Sequence, residues 1–289
     1  MYLPDQLKTQ LSAVASRSRR SEAELIRTAI EQVVAEGTAA HAEPSEPPVP
    51  GRLVGVGVGP GAADLLTVRA LRALRRATAV VAPCTDVGAM GRAEAIVREA
   101  APDVVVERLV FAMTPEPEAR SAALRAAADR VTALLDQGEE VAFITLGDPN
   151  LYSTFSSMAA RLVNTRPDTQ VITVPGVMAF QELAALSNTV LADDQQSFLV
   201  LPANDATASA QDGPIAAALQ DVTRAVVIYK GGRHVEAVAS RLRESGRLHD
   251  AVLGELLGLP GERIAPVADV ADRPASYLSA LIVPARSQP

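Results

Sequence analysis

Residues 51–71 read GRLVGVGVGPGAADLLTVRAL, a β-branched run that ends in glycines and then changes to helical spacing of its apolar positions. RLVGVGVG predicts a strand. DLLTVRALRALRRA (64–77) predicts a helix with Leu65, Val68, Leu71 and Leu74 on its buried side and Asp64 as N-cap. Strand, glycine turn and helix together open an α/β unit. The alternation continues through the strand AVVAP (79–83), the helix GRAEAIVREA (91–100) and the strand VVVERLVF (104–111). A long helix from about Glu118 to Gln137 and the strand EVAFITLG (140–147) follow. QVITVPG (170–176) opens a second half that holds SFLVLP (197–202), RAVVIYK (224–230) and the late YLSALIVP (277–284). The expected architecture is α/β in two lobes, a parallel-sheet lobe over 51–166 and a mixed-sheet lobe over 167–289.

The glycine loop GVGVGPGAAD (55–64) narrows the chemistry. A phosphate-binding P-loop needs a Lys after its last glycine, and none follows. The dinucleotide pattern G-x-G-x-x-G/A can be laid on Gly57, Gly59 and Ala62, but Pro60 interrupts the loop and no Asp or Glu closes the second strand. A tight strand-to-helix turn is the plain structural alternative. TLGDPNLYSTF (145–155), VPGVMAF (174–180), VIYKGGR (227–233) and GLPGERI (258–264) each follow or close an apolar strand. Glycine-bearing strand ends in this number imply a cleft built from loops.

Composition excludes several classes. The 289 residues are 48% hydrophobic and 21% charged with net charge −7, which suits a globular enzyme. No apolar run of about 18 residues and no signal-peptide pattern is present, so a cytoplasmic protein without a membrane span is expected. The single Cys84 and the three histidines, His41, His234 and His249, exclude a disulfide and give no zinc spacing, so no metal is expected. Trp is absent and aromatics are 3%, which argues against a general nucleic-acid surface.

TAAHAEPSEPPVP (38–50), with four prolines, predicts a solvated linker that separates a module at 1–37 from the rest. In the module Leu7, Leu11 and Val14 share one helix face, and Leu25, Ile26, Ile30, Val33 and Val34 give a second helix, with Ser21 and Glu24 as a capping box and Gly37 as its end. YLPDQL and SEAELIRTAI resemble a ribbon-helix-helix module, whose strand pairs in a dimer and enters the DNA major groove. Only Met1 and Tyr2 stand where that strand belongs. Base-reading side chains are therefore expected to be missing and the module to be an appendage, with a ligand-sensing DNA-binding regulator through residues 1–37 as the alternative reading.

The ordered set GVGVGPG, GDP, PGV and GERI, spread over 52–283, resembles the tetrapyrrole (corrin/porphyrin) methylases, two-domain enzymes that bind S-adenosylmethionine between their lobes. GDPNLYSTF, LPGERI and SYLSALIV are most similar to the branch that methylates C-20 of precorrin-2 or its cobalt form in cobalamin biosynthesis. The resemblance implies a homodimer and S-adenosylmethionine as cofactor. It places Leu146, Gly147, Asp148, Leu151, Ser153 and Thr154 by the cofactor's methionine part, and Met178 and Ala179 in the same pocket. Tyr229 and Lys230 follow, with Gly258, Leu259 and Pro260 beside the adenine. The loop of Gly57, Gly59, Pro60 and Gly61 would face the tetrapyrrole. A polycarboxylate substrate needs local cations in an acidic chain: Arg233 and Lys230 first, Arg92 and Arg69 second. The reaction implied is attack of an electron-rich meso carbon on the sulfonium methyl. No residue is nominated as catalytic base, Asp148 and Tyr152 being the nearest polar side chains.

Overall fold

The computed structural model describes residues 5–18, 20–30, 51–112, 114 and 116–286. Met1 and Tyr2, the positions Val33, Val34 and Gly37, and the linker 38–50 lie outside them. The chain divides into two units, Met1–Pro47 and Pro48–Pro289.

In the first unit, helix α1 (Asp5–Ser18) is followed by helix α2 (22–30). Ser21 Oγ accepts from the Glu24 N–H at 3.2 Å, which caps α2. Arg20 pairs with Glu24 at 3.1 Å. Leu7 (54%), Val14 (42%) and Ile30 (51%) remain exposed. No helix among the described residues is long and apolar enough to cross a membrane.

The second unit holds two sheets. The first is wholly parallel: β1 (Arg52–Gly57), β2 (Ala79–Cys84), β3 (Val106–Val110), β4 (Glu140–Thr145) and β5 (Gln170–Val174) lie in the order β3-β2-β4-β1-β5. Alternate residues of β1 and β4 feed opposite cores. Val54, Val56, Ala142 and Ile144 pack with Leu74 of α3 (Val68–Arg76) and Ile96 of α4 (Arg92–Ala100). Leu53, Val141 and Phe143 pack with Val131 of α5 (Pro117–Asp136) and Met158 of α6 (Thr154–Thr165). Burial on both faces is why these strands read as continuous apolar runs.

The second sheet is mixed, in the order β6-β7-β10-β8-β9, with β6 (Ser197–Pro202), β7 (Arg224–Tyr229), β8 (Val252–Glu255), β9 (Arg263–Pro266) and β10 (Ser279–Val283). Only β6 and β7 are parallel. Helix α7 (Ala179–Leu186) covers one face through Leu183, and α9 (Pro214–Gln220) and α10 (Val235–Glu244) cover the other. The short α8 spans Asp205–Ala208.

Two expectations are corrected. β5 hydrogen-bonds to β1, so the first sheet extends to Val174 and the boundary between lobes falls after it, not at residue 166. The helix after the glycine loop begins later than expected: Ala63–Leu65 is a 3-10 turn, and Thr67, whose side chain accepts from the Ala70 N–H at 3.1 Å, caps α3 in place of Asp64. Val68, at the first helical position, is consequently 64% exposed.

The sheet is pinned at its amino edge by Glu140, which is wholly buried. One carboxylate oxygen takes Arg52 Nε at 3.1 Å, and the other takes Arg76 Nε at 3.1 Å. Removing this carboxylate takes from the largely buried Arg52 guanidinium the partner it holds there, so Glu140→Ala is expected to lower unfolding stability by about 3–5 kcal/mol. Urea denaturation checks it, and a loss below about 1 kcal/mol, the range of an exposed pair, would contradict the assigned role.

Candidate active site

β1, β4 and β5 are adjacent and parallel, so their carboxyl ends meet at one edge, where ligands of open α/β sheets bind. Gly57 closes β1 and sits between the ends of the other two. A Cβ there would stand 2.5 Å from Gly147 O and 2.6 Å from Gly176 N, distances no side chain tolerates. Gly147 has φ +69°, open to glycine at little cost, and its N–H donates to Gly59 O at 2.7 Å. Asp148 braces the same junction: Oδ2 accepts from Gly176 N–H at 3.1 Å and Oδ1 from Asn150 N–H at 2.8 Å. Gly61 and Gly258 then press against backbone of the opposite lobe, at Leu257 O and Ala62 N.

A cavity of about 380 Å³ lies between these loops and the second sheet. Of the residues expected at the cofactor, Leu146, Gly147, Leu151, Ser153, Thr154, Met178, Ala179, Tyr229, Lys230 and Leu259 line it. Asp148, Gly258 and Pro260 do not; the first two bear on its walls through the contacts above. Of the residues expected at the tetrapyrrole, Pro60 lines the cavity, while Gly57, Gly59 and Gly61 lie behind the wall as packing positions. Arg233 lines a neighbouring cavity. Arg69 and Arg92 are exposed and line neither.

Sequence reading missed Pro83, Thr145, Leu256, Leu257, Tyr277, Leu278, Ser279 and Ala280, all on the wall. The last four enter because β10 runs antiparallel to β7, so its amino end, not its carboxyl end, reaches the cleft. A search confined to residues after strands passes over them. Leu256, at φ +51° directly after β8, carried no glycine to flag it.

Among the described residues no Asp or Glu lines the cavity, and no cluster of potential metal ligands occurs. Thr145 Oγ1 and Ser153 Oγ are 2.8 Å apart, and Ser153 caps α6 by accepting from Phe155 N–H at 3.0 Å. Tyr152 (φ +53°) and Lys230 (φ +60°) both hold left-handed backbone, a strain that concentrates at functional sites. The Tyr152 hydroxyl donates to Val200 O at 3.2 Å, and Lys230 Nζ stands 5.8 Å from the Tyr152 ring. Tyr229 packs edge-on to Tyr152 with centroids 6.1 Å apart, and its oxygen accepts from Phe180 N–H at 3.2 Å. Burial pushes the Tyr229 phenol up to about 12 and raises that of Tyr152. Ser279 Oγ is buried and has no hydrogen-bond partner among the described residues. Cys84 is buried, its Sγ against Leu109 O at 3.4 Å, and burial raises its thiol; it takes no part in the wall.

The family model for tetrapyrrole (corrin/porphyrin) methylases matches residues 52–271. A precorrin-2 C(20)-methyltransferase of Sinorhizobium sp. is 34% identical over 81% of this chain and 95% of its own length. A cobalt-precorrin-2 C(20)-methyltransferase of Salmonella typhimurium is 33% identical over 81% of this chain and 96% of its own. The solved structure of a cobalt precorrin-4 methyltransferase superposes with a TM-score of 0.60 at 19% identity, over 81% of this chain and 95% of that one. With the fold, the glycine-packed strand ends and a family match over most of its length, this chain belongs to the tetrapyrrole methylases.

Proposed function

We propose that the chain transfers a methyl group from S-adenosylmethionine to C-20 of precorrin-2 or cobalt-precorrin-2 in cobalamin biosynthesis. The interlobe cavity carries the reading. Its volume of about 380 Å³ falls within the range of small-molecule sites, roughly 300–1,000 Å³. The glycine loop beside it has no Lys to grip a phosphate, which suits a donor without one. The choice of acceptor is supported by the relatives named for C(20) methylation.

S-adenosylmethionine supplies the transferable methyl, on a cationic sulfonium. Leu146, Gly147, Leu151, Ser153 and Thr154 would hold its amino-acid part from the first lobe, with Met178 and Ala179 beside them. Tyr229, Lys230 and Leu259 would close on it from the second lobe, with Gly258 and Pro260 shaping the adenine end. Ser279 Oγ, buried on the same wall without a partner, is the kind of hydroxyl that a bound ligand satisfies. Pro60 would face the macrocycle, held there by the packed glycines Gly57, Gly59 and Gly61. A wall free of carboxylates leaves the sulfonium unpaired and reactive, while the faces of Tyr152 and Tyr229 can still favour a cation.

The meso carbon's electron pair forms the new C–C bond as the methyl–sulfur bond breaks, and a proton later leaves the methylated macrocycle. Both cavity phenols are raised by burial, so neither is ionised to take that proton near neutrality. Catalysis then rests on holding the two reactants in line. Residues 1–37 take no part in this reading; α1 and α2 are the helices of a ribbon-helix-helix-like appendage.

Incubation with S-adenosylmethionine and either tetrapyrrole is expected to add one methyl mass to the macrocycle, and no gain with either form would overturn the proposal. Asp148→Ala leaves Gly176 N–H without its acceptor, so affinity for S-adenosylhomocysteine by calorimetry should fall by about tenfold or more; unchanged affinity would contradict the brace. Tyr229 is raised from 10.0 to about 12 by burial. Its contribution to stability is therefore complete below pH 10 and is lost as pH rises through 12. Alkaline denaturation of wild type should show this loss over that window, and Tyr229→Phe should not.

A further inference from the structure

After Tyr229 the chain passes through Lys230 into the 3-10 turn Gly232–His234. This turn is held firmly from behind. A Cβ on Gly232 would strike the carbonyls of Ala275 and Ser276, and Ala275 N–H donates to Gly232 O at 2.9 Å. Segment 275–276 is fixed in turn, because Ser276 N–H donates to Glu255 Oε1 at 2.6 Å while Glu255 Oε2 binds Arg263 Nε at 2.5 Å. Arg233 therefore springs from an anchored backbone.

Beside it lies a second cavity of about 430 Å³, lined by Ala203, Asn204, Lys230, Arg233, His234 and Tyr277. Lys230 and Tyr277 also line the interlobe cavity, so the two share a wall. Several arginines elsewhere in the second lobe are engaged, Arg241 with Glu244, Arg263 with Glu255, Arg286 with Asp250, and buried Arg247 with the carbonyls of Asp221, Arg224 and Pro284. Arg233 is exposed and, among the described residues, makes no hydrogen bond or ion pair. Asn204 Oδ1 is occupied by Thr207 N–H at 2.9 Å, which leaves its amide NH₂ as the free polar end. No Asp or Glu lines this annex among the described residues. In a chain of net charge −7 it is a local concentration of hydrogen-bond donors with no carboxylate among its described lining residues.

We infer that this annex is a carboxylate-binding subsite of the methyl-transfer cleft, in which Arg233 and Asn204 seat an acidic arm of a molecule whose reacting part lies in the interlobe cavity. The inference rests on the methyltransferase reading above. A guanidinium fork binds a carboxylate through paired, charge-assisted hydrogen bonds. Fixing one peripheral arm of a macrocycle fixes its rotation in the cleft, and with it the meso carbon presented to the methyl donor. Arg233 thus binds the acceptor through one arm, an interaction expected mainly in KM. The same chemistry would also suit the amino-acid carboxylate of the donor, so the test separates the two sources.

Arg233→Gln and Arg233→Lys are compared with wild type on whichever of precorrin-2 and cobalt-precorrin-2 is methylated. An exposed, unpaired arginine can be replaced without loss of fold, and equal Tm values establish this. Arg233→Gln should raise KM for the tetrapyrrole by about tenfold or more, with kcat and the Kd of S-adenosylhomocysteine within about twofold, and Arg233→Lys should recover part of the loss. A weakened Kd for S-adenosylhomocysteine with an unchanged tetrapyrrole KM assigns the carboxylate to the donor and keeps the subsite. No change in either quantity overturns it. Fluorescence titration with uroporphyrin III, a stable polycarboxylate tetrapyrrole, reads the subsite without turnover. Weaker binding to Arg233→Gln there supports the annex even if neither precorrin is methylated, and equal binding by both proteins counts against it.

Discussion

Gly57, Gly147 and Gly176 lie in mutual backbone contact, and a Cβ on Gly57 would stand 2.5 Å from a neighbouring carbonyl oxygen. Everything at the cleft depends on that approach. It draws the ends of three parallel strands into one surface, lets Gly147 N–H reach Gly59 O, and puts Gly176 N–H within reach of the Asp148 carboxylate. Gly61 and Gly258 extend the same device across to the second lobe. The cavity wall is therefore built largely from backbone that has no freedom to move aside, which is what an enzyme relying on placement more than on acid–base groups requires.

Charge is organised to the same end. The buried carboxylates are neutralised within the scaffold, Glu140 by Arg52 and Arg76, Glu94 by Arg98 and Arg108, and Glu255 by Arg263. Arginine contacts, that of Arg108 first, lower the pKa of Glu94. Arg108 also donates to Val87 O at 2.8 Å, tying the loop after β2 to the sheet. Negative charge is thereby spent on architecture and kept off the cavity wall, where it would pair with a cationic donor.

Much of this was legible in the sequence. The alternation of apolar strands with amphipathic helices gave the parallel sheet, and glycine at successive strand ends marked the loops that form the cleft. What escaped has physical causes. QVITV reads alike whether it joins the first sheet or the second, because strand pairing is non-local; only its register with β1 decides. Asp64 had the chemistry of a cap, but the 3-10 turn at Ala63–Leu65 passed that role to Thr67. Asp148, placed beside the cofactor by the family resemblance, also braces the loop itself, both its oxygens accepting from loop N–H groups. Ser279 and its neighbours reach the cleft at the start of an antiparallel strand, a position no local pattern announces.

The most direct measurement is a crystal structure with S-adenosylhomocysteine. The account expects the ligand between the lobes, against Leu146, Met178 and Leu259, with the contact of Gly57, Gly147 and Gly176 unchanged. A ligand bound elsewhere, or one admitted only by parting those three glycines, would contradict it.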